Sequence, residues 1–182
     1  MELFDRLSDQ ARKMSLVEFV HLNNRLFVIG NAPGSGVGMG YSTHISGPTL
    51  EVPRAGRRPG STQFVQLVAK TDRNDWKQRI CVGRASNNDI ILRHESVSKL
   101  HAYFVVRQIT RKLRTIEEMV IVDADSKNGT LQNGRAVLAA SEAEQGAALA
   151  FGDRLTFGEV ECEFVDGATL YKRLKSRGAV DF

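Results

Sequence analysis

Several features that would identify common protein classes are scarce or missing in this chain. The 182 residues include only two cysteines, Cys81 and Cys162, which lie far apart and are each flanked by apolar residues. This pattern fits reduced, buried thiols better than a disulfide scaffold. No apolar run approaches the roughly 18 residues that a membrane-spanning helix needs. Glu2 and Asp5 stand where a secretory signal would carry basic residues. We therefore expect a cytoplasmic protein without a membrane span.

The sequence also lacks a recognisable set of metal ligands. Its histidines show neither the i, i+4 pairing nor the cysteine partners of a metal site: His21, His44, His94 and His101. The glycine-rich run from Gly34 to Gly40 misses the register of a dinucleotide-binding fingerprint, and no Gly-Lys-Ser/Thr follows it for a P-loop. We expect no metal and no cofactor, and we interpret this run as part of a flexible linker.

Charge is present in both signs, with a small positive excess. The chain has 25 basic and 21 acidic residues, a net charge of +4, and a local basic run made of Arg107, Arg111, Lys112 and Arg114. Such a run is commonly the solvated tip of a hairpin. The alternative is attraction to an anionic partner, either nucleic acid or phosphoprotein. Composition alone does not choose between them.

The pattern of apolar residues changes near residue 60. From Leu3 to Val20 the helical spacing predicts one or two amphipathic helices, and Ser15 followed by Glu18 is typical of a capping box that starts a second helix. A strand candidate, Leu26 to Ile29, leads into a segment rich in Gly, Pro and Ser that extends to Gly60. We interpret that segment as an irregular connection and expect a domain boundary at its end.

Beyond residue 60, short β-type runs bounded by turn residues predict a mainly β fold, either a sandwich or a barrel. The pairs Asn128-Gly129 and Asn133-Gly134 favour type I′ hairpin turns, and Thr169 to Lys175 predicts a short helix. The resulting assignment is a helical extension with a linker (1–60), a β domain (61–166) and a C-terminal helix or tail (167–182). We expect deletion of residues 1–60 to leave the β domain folded. The runs are Phe64–Ala69, Arg79–Val82, Asp89–Leu92, Ala102–Val106, Met119–Val122, Leu155–Phe157 and Val160–Val165.

Three short motifs follow one another within the β region. Gly83-Arg84 comes first, then Ser98-Lys99-Leu100-His101, then Asn128-Gly129 with a second Asn-Gly pair behind it. The ordered set resembles the forkhead-associated (FHA) family, whose hallmarks are a Gly-Arg, a Ser-x-x-His and an Asn-Gly on loops at one end of a β-sandwich. The resemblance covers about residues 62 to 166. It implies an FHA-like sandwich of two antiparallel sheets, and a binding module instead of an enzyme, with no catalytic residues.

The chemistry of the motif residues suits a phosphate. Phosphothreonine carries close to two negative charges and three acceptor oxygens, so its reader needs converging donors. Arg84 offers a planar fork of donors, with a surface salt bridge to Asp89 as the alternative. The hydroxyl of Ser98 can donate to phosphate or cap a turn, and both roles can coexist. The resemblance implies that Asn128 bonds the peptide main chain. Lys99 and Lys127, beside these two, would add positive charge.

The resemblance implies loop-ordering roles for a second group of residues. For His101, three residues after Ser98, the alternative is a catalytic base, but the spacing establishes neither an orienting carboxylate nor an oxyanion site. We therefore interpret His101 as structural. The resemblance also places the pocket for the third residue after the phosphothreonine among the loops near Ser96 and residues 132–135. The loop-structuring set is Gly83, Asn88, Asp89, His101, Gly129 and Asn133.

Two functions from different classes follow from these motifs. The first is a phosphothreonine-dependent adaptor that recruits a threonine-phosphorylated protein or a Ser/Thr kinase, with phosphothreonine preferred over phosphoserine. The second is a scaffold that uses the same sandwich to bind an unphosphorylated partner. The presence of Arg84, Ser98 and Asn128 favours the first, and the motif set favours a phosphoprotein over nucleic acid.

Overall fold

The computed structural model describes residues 3–33, 62–111, 114–142 and 146–178. Over these residues the chain forms two N-terminal helices, eleven strands and a C-terminal helix, which confirms a mainly β fold with helical ends. The helices are α1 (Leu3–Lys13), α2 (Leu16–Leu22) and α3 (Gly167–Gly178). The strands are β1 (Leu26–Ala32), β2 (Thr62–Leu67), β3 (Ile80–Gly83), β4 (Ile90–Ile91), β5 (Ala102–Arg111), β6 (Arg114–Asp123), β7 (Thr130–Gln132), β8 (Arg135–Ala136), β9 (Ala147–Ala148), β10 (Arg154–Phe157) and β11 (Val160–Asp166).

The strands form two sheets that enclose the main core. Sheet A has the order β2-β1-β11-β10-β7-β8, and sheet B has the order β4-β3-β5-β6-β9. The pairing is antiparallel as predicted, except that β3 and β4 run parallel. Phe104 and Ile121 from sheet B meet Leu155 and Phe164 from sheet A, and each is at most 1% exposed. Burying side chains of this size drives the two sheets together.

The three helices form a second apolar layer on the outer face of sheet A. Successive residues of a strand point to opposite faces, so Val28 enters the main core whereas Phe27 and Ile29 face the helices. Leu7 of α1 and Leu170 of α3 are fully buried against that face. Sheet A is therefore covered on both sides.

The position of strand β1 disagrees with the domain boundary expected near residue 60. It lies between β2 and β11, paired with β2 over Phe27–Ala32 and with β11 over Leu26–Asn31. The run of apolar residues in β1 is buried on both faces, which is typical of an interior strand. The sandwich therefore includes a strand that the sequence assigned to the extension. We accordingly propose that the folding unit begins before β1, not near residue 60.

Local signals in the sequence compare well with the structure. Ser15 and Glu18 form both bonds of the capping box that begins α2, as predicted. The seven predicted β-type runs all overlap strands, while β7, β8 and β9, with two or three residues each, were not predicted. The described residues of the basic run, Arg107, Arg111 and Arg114, belong to the paired strands β5 and β6. The irregular connection was predicted from Gly30 to Gly60, but Gly30 to Ala32 belong to β1. Lys112 and the rest of that connection from Gly34 onward lie outside the described residues. None of the described helices is long and apolar enough to cross a membrane.

Candidate functional site

Three loops meet at one end of the sandwich because the strands that carry them end side by side in sheet B. Val82 pairs with Ala102, and Ala102 pairs with Asp123. The loop after β3, the loop before β5 and the loop after β6 therefore leave the sheet at the same edge. Adjacent backbone bonds tie them further, since His101 N–H donates to the Val82 carbonyl and Ala124 N–H to the His101 carbonyl. The motif residues all lie on these three loops.

Arg84 follows the last residue of β3 and lies directly beside Ser98. Its backbone N–H donates to the Ser98 carbonyl at 3.0 Å. This close approach requires glycine at position 83, because a Cβ there would collide with the Lys99 carbonyl oxygen. The Arg84 side chain is exposed. The salt bridge to Asp89 is not formed, since that carboxylate bonds Lys70 instead.

Ser98 uses its hydroxyl oxygen to hold the neighbouring loop. The Oγ atom accepts a hydrogen bond from the Lys127 backbone N–H at 3.0 Å. A hydroxyl has two acceptor positions and one proton, so this bond leaves the proton of Ser98 for an acceptor outside the loops. Lys99 and Lys127 are both exposed. The structure therefore brings the backbones of Arg84, Ser98 and Lys127 together.

Asn128 also links two loops. Its Nδ2 donates to the Ser96 carbonyl at 2.8 Å, which leaves the side-chain oxygen as a possible acceptor. Asn128 does not have a positive φ within the described backbone, so the type I′ turn predicted for Asn128-Gly129 is wrong. Two residues of this loop have a positive φ, Asp125 at +54° and Gly129 at +74°.

His101 connects the loop before β5 to the loop after β6. It is fully buried, its Nδ1 accepts from the Ser98 backbone N–H at 3.0 Å, and its Nε2 lies 3.1 Å from the Gly129 carbonyl. Those partners require a neutral ring protonated on Nε2. Burial lowers the pKa of His101, while the Gly129 carbonyl and the charge of Asp123 oppose that shift. Both ring nitrogens are occupied by backbone groups, and neither contacts the Ser98 hydroxyl.

Asn88 and Asp89 fix the first loop. The Nδ2 of Asn88 donates to the carbonyls of Ala85 and Lys99 at 2.9 and 2.6 Å. Asp89 is buried and accepts from Thr71, Asn74 and Cys81 as well as from Lys70. Burial raises the pKa of the Asp89 carboxylate, but the hydrogen bonds from Thr71, Cys81 and Asn74 outweigh it and bring the pKa to about 2.

Sequence reasoning missed Asp123, the last residue of β6. It is 3% exposed and accepts from Ser126 N–H, Ser126 Oγ and Thr130 Oγ1 at 2.6 to 2.8 Å. These bonds shape the loop that carries Lys127 and Asn128. The Asp-x-x-Ser spacing is a known turn signal and could have identified it. Ser96 was named only for a pocket, yet its Oγ accepts from Glu159 N–H at 2.9 Å and so joins the loop to the β10–β11 turn.

Asn133 belongs to a neighbouring turn. Asn133 and Gly134 have φ values of +51° and +80° and connect β7 to β8, which confirms the predicted type I′ hairpin. Asn133 donates to the Asp153 carboxylate and accepts from Arg154 N–H. It therefore orders this turn and not the three loops themselves. An open depression beside it is lined by Gln132, Asn133, Arg135 and Ala136.

A rigid sandwich that presents clustered donors on three loops is an arrangement typical of binding modules. Residues 80–158 match the family model of the FHA domain, in agreement with the resemblance that the sequence motifs carry. The match runs from β3 to the turn before β11. Strands β1, β2 and β11 lie outside it and complete sheet A. No curated protein is significantly similar to the chain in sequence.

Solved structures with a similar fold include two complexes with phosphopeptides and one full-length protein. One is EmbR from Mycobacterium tuberculosis in complex with a low-affinity phosphopeptide. It is 26% identical to this chain, the match covers 49% of this chain and 20% of EmbR, and the TM-score is 0.38. The yeast Dun1 FHA domain, in complex with a doubly phosphorylated peptide derived from Rad53, is 22% identical (80% and 77% covered, TM-score 0.44). Full-length yeast Pml1p is 17% identical (88% and 91% covered, TM-score 0.46). The chain thus spans a fifth of EmbR, and the family assignment rests on the match over residues 80–158.

Proposed function

We propose that this chain is a phosphothreonine-dependent adaptor that recruits a threonine-phosphorylated protein or a Ser/Thr kinase. The observation that carries the proposal is the arrangement around Ser98. Its hydroxyl oxygen is held by the Lys127 N–H, its carbonyl is held by the Arg84 N–H, and the exposed Arg84 side chain begins at that point. A phosphate placed there would meet a guanidinium fork and a preset hydroxyl donor.

Two lysines and an asparagine complete the proposed contacts. Lys99 follows Ser98, Lys127 precedes Asn128, and both would add positive charge beside a dianion. Asn128, held by its bond to Ser96, would bond the main chain of the peptide. Because the loops are fixed by buried groups in the free protein, little ordering entropy would be lost on binding.

The same contacts support a binding role without catalysis. The only histidine on the motif, His101, has its ring nitrogens bonded to Ser98 N–H and the Gly129 carbonyl, so it is not placed to activate the Ser98 hydroxyl. We also place the adaptor in the cytoplasm, where free thiols persist; Cys81 and Cys162 are free and buried.

The test is calorimetric titration with three peptides of one sequence, carrying phosphothreonine, phosphoserine or unmodified threonine. We expect binding only to the phosphorylated peptides, with phosphothreonine preferred a few-fold. Burying the extra methyl is worth about 0.8 kcal/mol. Equal affinity for the phosphorylated and unmodified peptides would favour the phosphorylation-independent scaffold.

A further inference from the structure

The β5–β6 hairpin extends beyond the sandwich. Near the candidate site, β5 pairs with β3 up to Phe104, and β6 pairs with β9 at Val120 and Ile121. Past those residues the hairpin continues in unbroken register to the pair Arg111–Arg114. In the part of the chain that the structure describes, no further strand pairs with either edge of this distal half. Residues 106–110 and 114–119 are exposed or half-exposed, and Ile116 is 45% exposed.

The open edge of β6 presents unpaired backbone groups at defined residues. The Met119 carbonyl accepts from Leu149 N–H at 2.9 Å, so it points away from β5, toward the edge. In an antiparallel ladder, the direction of the backbone groups alternates from residue to residue. Since the register has no bulge, Thr115 and Glu117 also direct their N–H and C=O groups away from β5. An edge of this kind is a template for another strand.

We infer that the distal edge of β6 pairs with the same edge of a second copy of this chain, antiparallel and centred on Ile116. In that register Thr115 of each copy opposes Glu117 of the other, and their outward groups form four hydrogen bonds. Ile116 opposes Ile116, and Arg114 opposes Glu118, at positions where side chains approach most closely. Glu118 also has an interaction within its own chain, and a carboxylate can accept several hydrogen bonds at once.

Charge along the edge selects this register over its neighbours. Residues 114–118 read Arg-Thr-Ile-Glu-Glu, so the basic end of one copy meets the acidic end of the other about Ile116. A shift that centres the pairing on Glu117 would oppose two like charges and would bring Arg114 onto Val120, which β9 already covers. A shift that centres it on Thr115 would lose the Arg114–Glu118 pairing. A two-fold symmetric strand interface therefore fits this edge in one register.

The edge of β5, on the other side of the hairpin, lacks charges that would favour self-pairing. From Val106 to Arg111, β5 carries two arginines, Arg107 and Arg111, and no acidic residue. Antiparallel self-pairing centred on Ile109 would place these cations opposite each other, which is destabilising. The charges thus protect the β5 edge and leave β6 open to association.

The proposed interface lies far from the candidate site. Strand β5 begins beside His101, and β6 ends beside the loop that carries Asn128, so the distal half of the hairpin is at the opposite end of sheet B. Pairing through this edge would leave the three loops of both copies accessible. The inference therefore does not depend on what those loops bind.

Proline substitution tests the edge directly. Thr115→Pro removes an outward N–H and leaves the β5–β6 hydrogen bonds in place, as proline tolerates an outward-facing position of an edge strand. Gln108→Pro is the matched control, because Gln108 directs its N–H away from β6 on the opposite edge. Sedimentation of the full chain up to about 1 mM should show a concentration-dependent dimer. The affinity of this dimer should fall at least about tenfold in Thr115→Pro and stay unchanged in Gln108→Pro.

Charge exchange tests the register. Arg114→Glu and Glu118→Arg should each be monomeric alone, because like charges would oppose each other twice. A mixture of the two variants should form a heterodimer, in which both pairs carry opposite charges. Circular dichroism checks that each variant is folded. A chain that stays monomeric at the highest concentration would overturn the inference. So would a dimer lost only in Gln108→Pro, or a mixture that fails to associate.

Discussion

Replacement of Arg84 by alanine separates a binding role from a structural one. The side chain is exposed, and the backbone bond from residue 84 to the Ser98 carbonyl is available to any residue except proline. The change therefore removes the proposed phosphate contact and leaves the loop in place. Two hydrogen bonds to a charged group, at roughly 1.5 to 3 kcal/mol each, imply a loss of about 3 kcal/mol or more. That is at least about a hundredfold in affinity.

Calorimetry or fluorescence anisotropy with a phosphothreonine peptide measures this loss. Arg84→Lys should recover part of the affinity, since it keeps the charge but not the planar fork. Arg25→Ala is the matched control. It removes the same charge from an exposed residue next to Leu26, which pairs with Asp166 at the end of sheet A away from the loops.

The melting temperatures of Arg84→Ala and Arg25→Ala should both stay close to that of the parent protein. If Arg84→Ala bound the phosphothreonine peptide as tightly as the parent while folded, the phosphate-reading role would be refuted. A phosphorylation-independent scaffold would then be the better account. A large drop in melting temperature would instead show that the side chain is structural.

Three further predictions concern stability. Deletion of residues 1–61 should abolish cooperative thermal unfolding, because it removes β1 from between β2 and β11; a sharp melting transition in the truncated chain would contradict this. Asp89→Asn should lower the free energy of unfolding by roughly 3 kcal/mol in urea titrations, because it leaves Lys70 without its buried partner. The control Asp72→Asn, at an exposed carboxylate, should change the free energy of unfolding little. Because the folded state depresses the pKa of His101, the unfolded state binds the proton more readily, and stability should fall as the pH drops below about 6.5. The His101→Gln variant should lose part of that dependence, and an unchanged profile would exclude His101 as its source.

The positions of the candidate-site loops could be predicted from the sequence because their signals are local. Gly83-Arg84, Ser98 with His101, and Asn128-Gly129 are short patterns whose order along the chain is itself informative. The turn at Asn133-Gly134 follows from the tolerance of these two residues for positive φ. The capping box at Ser15 and Glu18 is likewise complete within four residues.

What the tertiary structure decided depends on contacts between distant residues. Leu26 to Ile29 reads as an apolar strand in isolation, but only pairing with residues 62–67 and 161–166 shows that it is an interior strand of sheet A. The spacing of Asp123 and Ser126 indicates a turn, but only the folded loop places both Ser126 and Thr130 around the buried carboxylate of Asp123. Packing also gave Asp89 a partner other than Arg84, since Lys70 and the segment that follows β2, together with Cys81 of β3, supply the groups bonded to that carboxylate. Local patterns fix which residues can form a turn or a cap, whereas long-range strand pairing fixes which of them are buried together.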